Sequence, residues 1–166
     1  MAGGVDGRLI AIYLNDHLAG STAGLELARR ARGSNRGTSF EAPLERLATE
    51  IAEDRAALLD VMARLGVTRD PLKVWAGWAA EKAGRLKLNG RLTGYSPLSR
   101  VVELEALALG IEGKRALWRA LAAVAGQDER LADVDFAALG RHADRQRRLV
   151  ERERLRATAI AFGAHS

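Results

Sequence analysis

Between Leu44 and Leu65 the apolar residues Leu44, Leu47, Ile51, Leu58, Met62 and Leu65 recur at the three- and four-residue steps that align side chains on one face of an α-helix. Comparable stripes recur along the whole chain. Each stripe must be buried against another, so the sequence is constrained to a bundle of helices. Composition agrees. Ala and Leu supply 55 of the 166 residues, whereas the β-branched apolar pair Val and Ile supplies 14. Ala and Leu are strong helix formers and β-branched residues favour strands. The chain is long enough for one domain with a substantial core, spanning residues 1–166.

Breaks divide the chain into five helical segments. The first runs from about Gly7 to Arg32, and a flexible stretch is expected over residues 33–39. The second runs from about Phe40 to Leu65 and stops at Gly66, with Pro43 in its first turn. Asp70-Pro71 opens a third segment, expected as an inserted helix over about 70–90. Ser96-Pro97 opens the fourth, which runs to about Ala125. The fifth begins near Asp133 or Asp135 and ends at Gly163. Four long segments and one shorter one predict an antiparallel four-helix bundle with one additional inserted helix.

Zero cysteines exclude disulfides, thiolate metal sites and cysteine nucleophiles. The N-terminal stretch lacks the basic and long apolar regions of a secretory signal. No run approaches the roughly 18 apolar residues of a membrane span. A cytoplasmic bacterial protein is expected. The three histidines, His17, His142 and His165, form no nucleophile triad: Asp16 and His17 point about 100° apart on one helix. Catalysis is not expected.

The informative feature is polar chemistry on the inward stripes. His17 falls within the stripe of the first helix. Asp54, with Glu50 one turn before it, sits at the edge of the second. Lys82 lies at the centre of the third, flanked by Arg85. Gln146 and Glu153 point along the middle of the fifth, with His142 on its border. The fourth segment is apolar over most of its surface. Leu98, Val101, Ala108 and Leu109 share one side with Glu105, while Leu107, Ile111, Trp118 and Leu121 share another with Glu103 and Lys114. Glu105 is taken as the inward acid, with Glu103 the alternative. An unpaired buried charge costs several kcal/mol, roughly. These groups should therefore meet one another, a metal or water. The set expected in the interior is His17, Glu50, Asp54, Lys82, Arg85, Glu105, Gln146 and Glu153.

The segment LERLATEIAEDRAALLDVMARLGV, Leu44–Val67, resembles the second helix and turn of ferritin-like bundles. The order of elements resembles theirs too: a long helix, this helix closing on Leu-Gly, a crossover, then two long helices. The resemblance implies a ferritin-like bundle. In members that bind two irons it implies a Glu from each of two helices and Glu-x-x-His from each of the other two. No Glu-x-x-His occurs here. A ferritin-like site for Fe or Mn would draw on His17, Glu50, Asp54 and Glu105. The leading expectation is instead a metal-free, cofactor-free network. In it Lys82 supplies the positive charge that a metal would otherwise bring, and His17, Glu50, Asp54 and Glu105 surround it.

The net charge is +5, and 22 of the 26 basic residues are arginine. Arg145, Arg148, Arg152 and Arg156 on the last helix form a candidate anion surface. No DNA-binding motif or interleaved aromatics accompany them, so nucleic acid is the weaker reading. A second copy of the chain or another protein is the expected partner. Gly20 and Gly24, on the inner side of the first helix, predict close approach of another backbone.

Overall fold

The computed structural model describes residues 6–70 and 95–163. All regular structure among them is helical. Four long helices form the bundle: α1 (Gly7–Ser34), α2 (Glu41–Arg64), α3 (Pro97–Val124) and α4 (Phe136–Phe162). Two single 3₁₀ turns, Ala125–Gln127 and Glu129–Leu131, join α3 to α4. The expected inserted helix over 70–90, with Lys82 and Arg85, lies outside the described residues.

The helix ends follow local chemistry. Asp6 accepts from the backbone N–H groups of Arg8 and Leu9 at 2.9 and 3.1 Å, satisfying donors that a first turn leaves free. Ser96 and Ser99 cap the start of α3 reciprocally, with Pro97 in the first turn. Asp135 accepts from Ala138 N at 2.7 Å and starts α4. At the end of α2, Gly66 adopts φ +67°. Its N–H reaches Ala63 O and that of Val67 reaches Met62 O, the Schellman arrangement that left-handed glycine permits. Arg130 then donates to Leu65 O at 3.1 Å and satisfies another terminal carbonyl.

The stretch expected to be flexible, residues 33–39, holds the last two residues of α1 and then a hydrogen-bonded turn. Asn35 is fully buried. Its amide donates to Ala31 O at 2.7 Å and to the Tyr95 hydroxyl at 2.8 Å, and its carbonyl accepts from Arg100 at 2.6 Å. The Phe40 ring beside this turn carries the Arg100 and Arg156 guanidinium carbons at 4.3 and 3.9 Å from its centroid. Such contacts attract the cation to the ring's electron-rich face.

α1 packs on α2 and α3, and α4 packs on the same two helices. Backbone contact is absent between α2 and α3. Cross-helix pairs fix how the elements meet. Arg32 reaches Glu45, Thr22 accepts from Arg55, and Asn15 donates to Thr68 O. Arg30 meets Glu103 at 3.2 Å. Arg115 meets Asp144 and Arg154 meets Glu105. Arg156 donates to Ser39 O at 2.9 Å, at the opposite end of the molecule from the Arg130–Leu65 contact. The core between the helices is built from Leu14, Leu44, Leu58, Leu104, Trp118 and Val150, all almost fully buried. None of the described helices is long and apolar enough to cross a membrane.

Candidate functional site

The middle of the bundle holds a polar network contributed by three helices. Glu50 and Asp54 are one turn apart on α2, and His142 and Gln146 are one turn apart on α4, so each pair shares a face. Lys114 reaches in from α3. Its ammonium donates to Asp54 Oδ2 and to Gln146 Oε1. Gln146 Nε2 donates to the same Asp54 oxygen at 2.8 Å. The other Asp54 oxygen lies 3.2 Å from His142 Nδ1. The far side of that imidazole faces Glu50, with Nε2 3.6 Å from Oε2. Glu50 also accepts from Arg46 at 2.7 Å. Gln146 is completely buried, and Asp54 is 4% exposed.

Each carboxylate of the network meets a basic side chain, Asp54 the ammonium of Lys114 and Glu50 the guanidinium of Arg46. Both oxygens of Asp54 are engaged, as a buried carboxylate requires. Burial is the largest influence on Lys114 and pushes its ammonium below the usual lysine range, against the opposing pull of Asp54 and Glu50. Desolvation of this cation therefore exceeds what its neighbours return. A network of that kind fixes which residues face each other more than it adds stability.

Three expected members occupy other places: Glu105, His17 and Glu153. Glu105 is a correction: its side chain is 51% exposed and lies 3.5 Å from Arg154. The inward acid of α3 is Glu103, 5% exposed. α3 turns its largest side chain, Trp118, into the core, and Glu103 and Lys114 lie on that same side. His17 does not hydrogen-bond to the network. It lines a cleft beside it, edge-on to the Tyr13 ring at 4.5 Å between centroids. Burial pushes its pKa below the ordinary histidine value, so it is neutral at pH 7. Glu153 is buried but sits toward the other end of α4, between Arg152 and Arg156 at 3.1 Å each. Lys82 and Arg85 lie outside the described residues; the ammonium found among the carboxylates is that of Lys114.

Glu103 anchors a second cluster. It accepts from Tyr95 at 2.9 Å and from Arg30 at 3.2 Å. Tyr95 in turn accepts from Asn35. Burial, with lesser help from Glu103, pushes the Tyr95 phenol up to about 12. This cluster ties the end of α1 to the start of α3.

The four arginines expected as an anion surface differ in their surroundings. Arg156 is spent on Phe40, Ser39 and Glu153, and Arg152 on Glu153. Arg145 and Arg148 are exposed. Among the described residues no group of three or more His, Asp or Glu side chains is arranged to hold a metal ion. The membership of Lys114 carried one signal in the sequence: it lies four residues before Trp118, and so one turn away on the same face.

The close approach expected at Gly20 and Gly24 is absent among the described residues. A Cβ built on Gly20, Gly24, Gly110 or Gly113 meets nothing within 4 Å. These glycines instead line a cleft of about 260 Å³ between α1, α2 and α3, on which Lys114 and Asp54 also border.

No family model, curated protein or solved structure matches this chain.

Proposed function

We propose that the chain is a non-catalytic bundle of ferritin-like topology in which a lysine ammonium takes the place of a metal centre, and that it works by binding rather than by turnover. The observation that carries this reading is the Lys114 ammonium seated between Asp54 and Gln146, with His142 and Glu50 completing the cluster. These are the residue types that would ligate iron or manganese, and their charge is already neutralised. A positive group at that point repels a divalent cation.

The topology is supported by the order of the cross-helix pairs. Along α1 and α2 the partners run in opposite order, from Arg32–Glu45 through Thr22–Arg55 to Asn15–Thr68. Arg115–Asp144 and Glu105–Arg154 do the same for α3 and α4. Asp70 is held by Asn15 near the start of α1, whereas Tyr95 is held by Asn35 at its end. The connection from α2 to α3 therefore joins opposite ends of the bundle, as the crossover of a ferritin-like fold does.

Metal analysis of protein purified without chelator, then challenged with Fe²⁺ or Mn²⁺ and desalted, tests the proposal. The expected result is less than about a tenth of an equivalent retained. Stoichiometric retention overturns it.

A further inference from the structure

We propose that the outer face of α4 docks on a membrane surface that carries anionic phospholipid headgroups.

α4 concentrates the charge of the chain. It holds seven arginines against three acids, an excess of four in a protein whose net charge is +5. Arg145, Arg148, Arg152, Leu155, Ala159 and Phe162 follow one another at steps of three and four residues, and all six are exposed. At about 100° per residue they share an arc of roughly 100°, and the row is about 26 Å long.

The acids of α4 are already engaged. Asp144 pairs with Arg115 at 2.5 Å, and Glu151 with Arg154 at 2.7 Å and Arg147 at 3.3 Å. Glu153 lies buried between Arg152 and Arg156. Among the described residues no acid pairs with Arg145 or Arg148. Arg152 touches Glu153, yet its side chain is 67% exposed. A row of like charges repels itself, and it gains when a layer of anions covers it.

The far end of the row is apolar. Leu155 is 54% exposed and Phe162 is 66% exposed. Nucleic-acid phosphates would take the arginines and leave these two side chains in water. A bilayer interface takes both: headgroup phosphates accept from the guanidinium groups, and apolar side chains enter the boundary with the acyl chains. The convex outside of a helix also suits a broad surface. Such docking needs no membrane-crossing segment, and none of the described helices is one.

The position of the row leaves it free for this contact. α1 and α4 are diagonal in the bundle and make no backbone contact. Thr68, Asp70 and Tyr95, the described residues nearest to 71–94 in the chain, are held by Asn15 and Asn35 at the two ends of α1. The arginine row lies on the opposite side of the bundle.

The full chain is mixed with vesicles of phosphatidylcholine alone, or of phosphatidylcholine with phosphatidylglycerol, and bound protein is read by co-sedimentation. Partitioning to the anionic vesicles is expected to be at least about tenfold stronger, and to weaken as NaCl is added. Arg145→Glu with Arg148→Glu should lower it at least about tenfold, and Arg145→Gln with Arg148→Gln by less. Leu155→Ser with Phe162→Ser should lower it about threefold or more. Circular dichroism confirms that each variant remains folded. The chain has no cysteine, so Ala159→Cys carries a polarity-sensitive dye at a single site. Its emission should shift to the blue on anionic vesicles, whereas the same dye at Glu26→Cys, exposed on α1, should not respond. Equal partitioning to the two kinds of vesicle overturns the proposal. Binding that survives both arginine pairs, or a dye response at Glu26→Cys without one at Ala159→Cys, removes α4 as the surface. Binding indifferent to Leu155→Ser with Phe162→Ser, or tighter binding to a DNA duplex at the same salt, overturns lipid as the partner.

Discussion

Lys114 and Asp54 meet at the centre of the bundle although the backbones of their helices do not touch. α2 and α3 are diagonal partners, and a long flexible side chain on one reaches a short carboxylate on the other. Gln146 from α4 binds both and closes the triangle. Three helices are thereby locked in register by groups that tolerate few alternatives. A slip of one turn in any of them leaves a charge buried alone, at a cost of several kcal/mol, roughly.

If the ammonium stands in for a cation, removing it should create an appetite for one. Lys114→Ala leaves Asp54, Glu50 and His142 together with net negative charge and new space. Its affinity for Mn²⁺ or Zn²⁺, measured by calorimetry at pH 7, should exceed that of the wild type by at least about tenfold. Equal affinities would show that Lys114 does not exclude metal.

His17 titrates with a definite sign. Burial holds its folded pKa below 6.5, while the unfolded chain keeps the ordinary value. In the window between the two the unfolded state binds more protons, so stability falls as pH falls from 6.5 through the folded pKa. Urea midpoints measured from pH 7 to pH 5 should decline for the wild type and decline less for His17→Phe. Parallel pH profiles would place the titrating group elsewhere.

Tyr95 makes the alkaline counterpart. Its phenol ionises only near pH 12 in the folded protein, so the stability it contributes is present below the ordinary value of 10 and is lost as pH rises toward 12. Ultraviolet difference titration should show the Tyr95 phenolate appearing near pH 12, a step missing in Tyr95→Phe. That variant also deprives buried Glu103 of a donor and should lose about 1–3 kcal/mol in denaturant. A phenolate step at pH 10 contradicts the buried cluster.

Much of this architecture was legible in the residues. Ser96-Pro97, Gly66 and Asp135 mark helix ends with local chemistry that tertiary packing does not override. α2 and α4 carry narrow apolar stripes, so Asp54 and Gln146 stood out as inward polar groups. α3 is apolar around most of its circumference, and a stripe that wide defines no inward direction. Glu105 and Glu103 then look equivalent, and Lys114, which shares its side with Glu103, is not assigned to the interior, where Lys82 is expected instead. The bulk of Trp118 decides the rotation, because the largest apolar side chain gains most from burial. His17 illustrates the opposite limit. Its stripe faces inward, but among the described residues that part of α1, with Gly20 and Gly24, borders a cleft instead of the core.

The most direct measurement is the unfolding free energy of Lys114→Met, Asp54→Leu and the double variant in urea. The account predicts that Lys114→Met loses about 3–5 kcal/mol, because Asp54 is left buried without its cation, and that adding Asp54→Leu restores much of the loss. A loss within about 0.5 kcal/mol for Lys114→Met, as at an ordinary surface position, would contradict it.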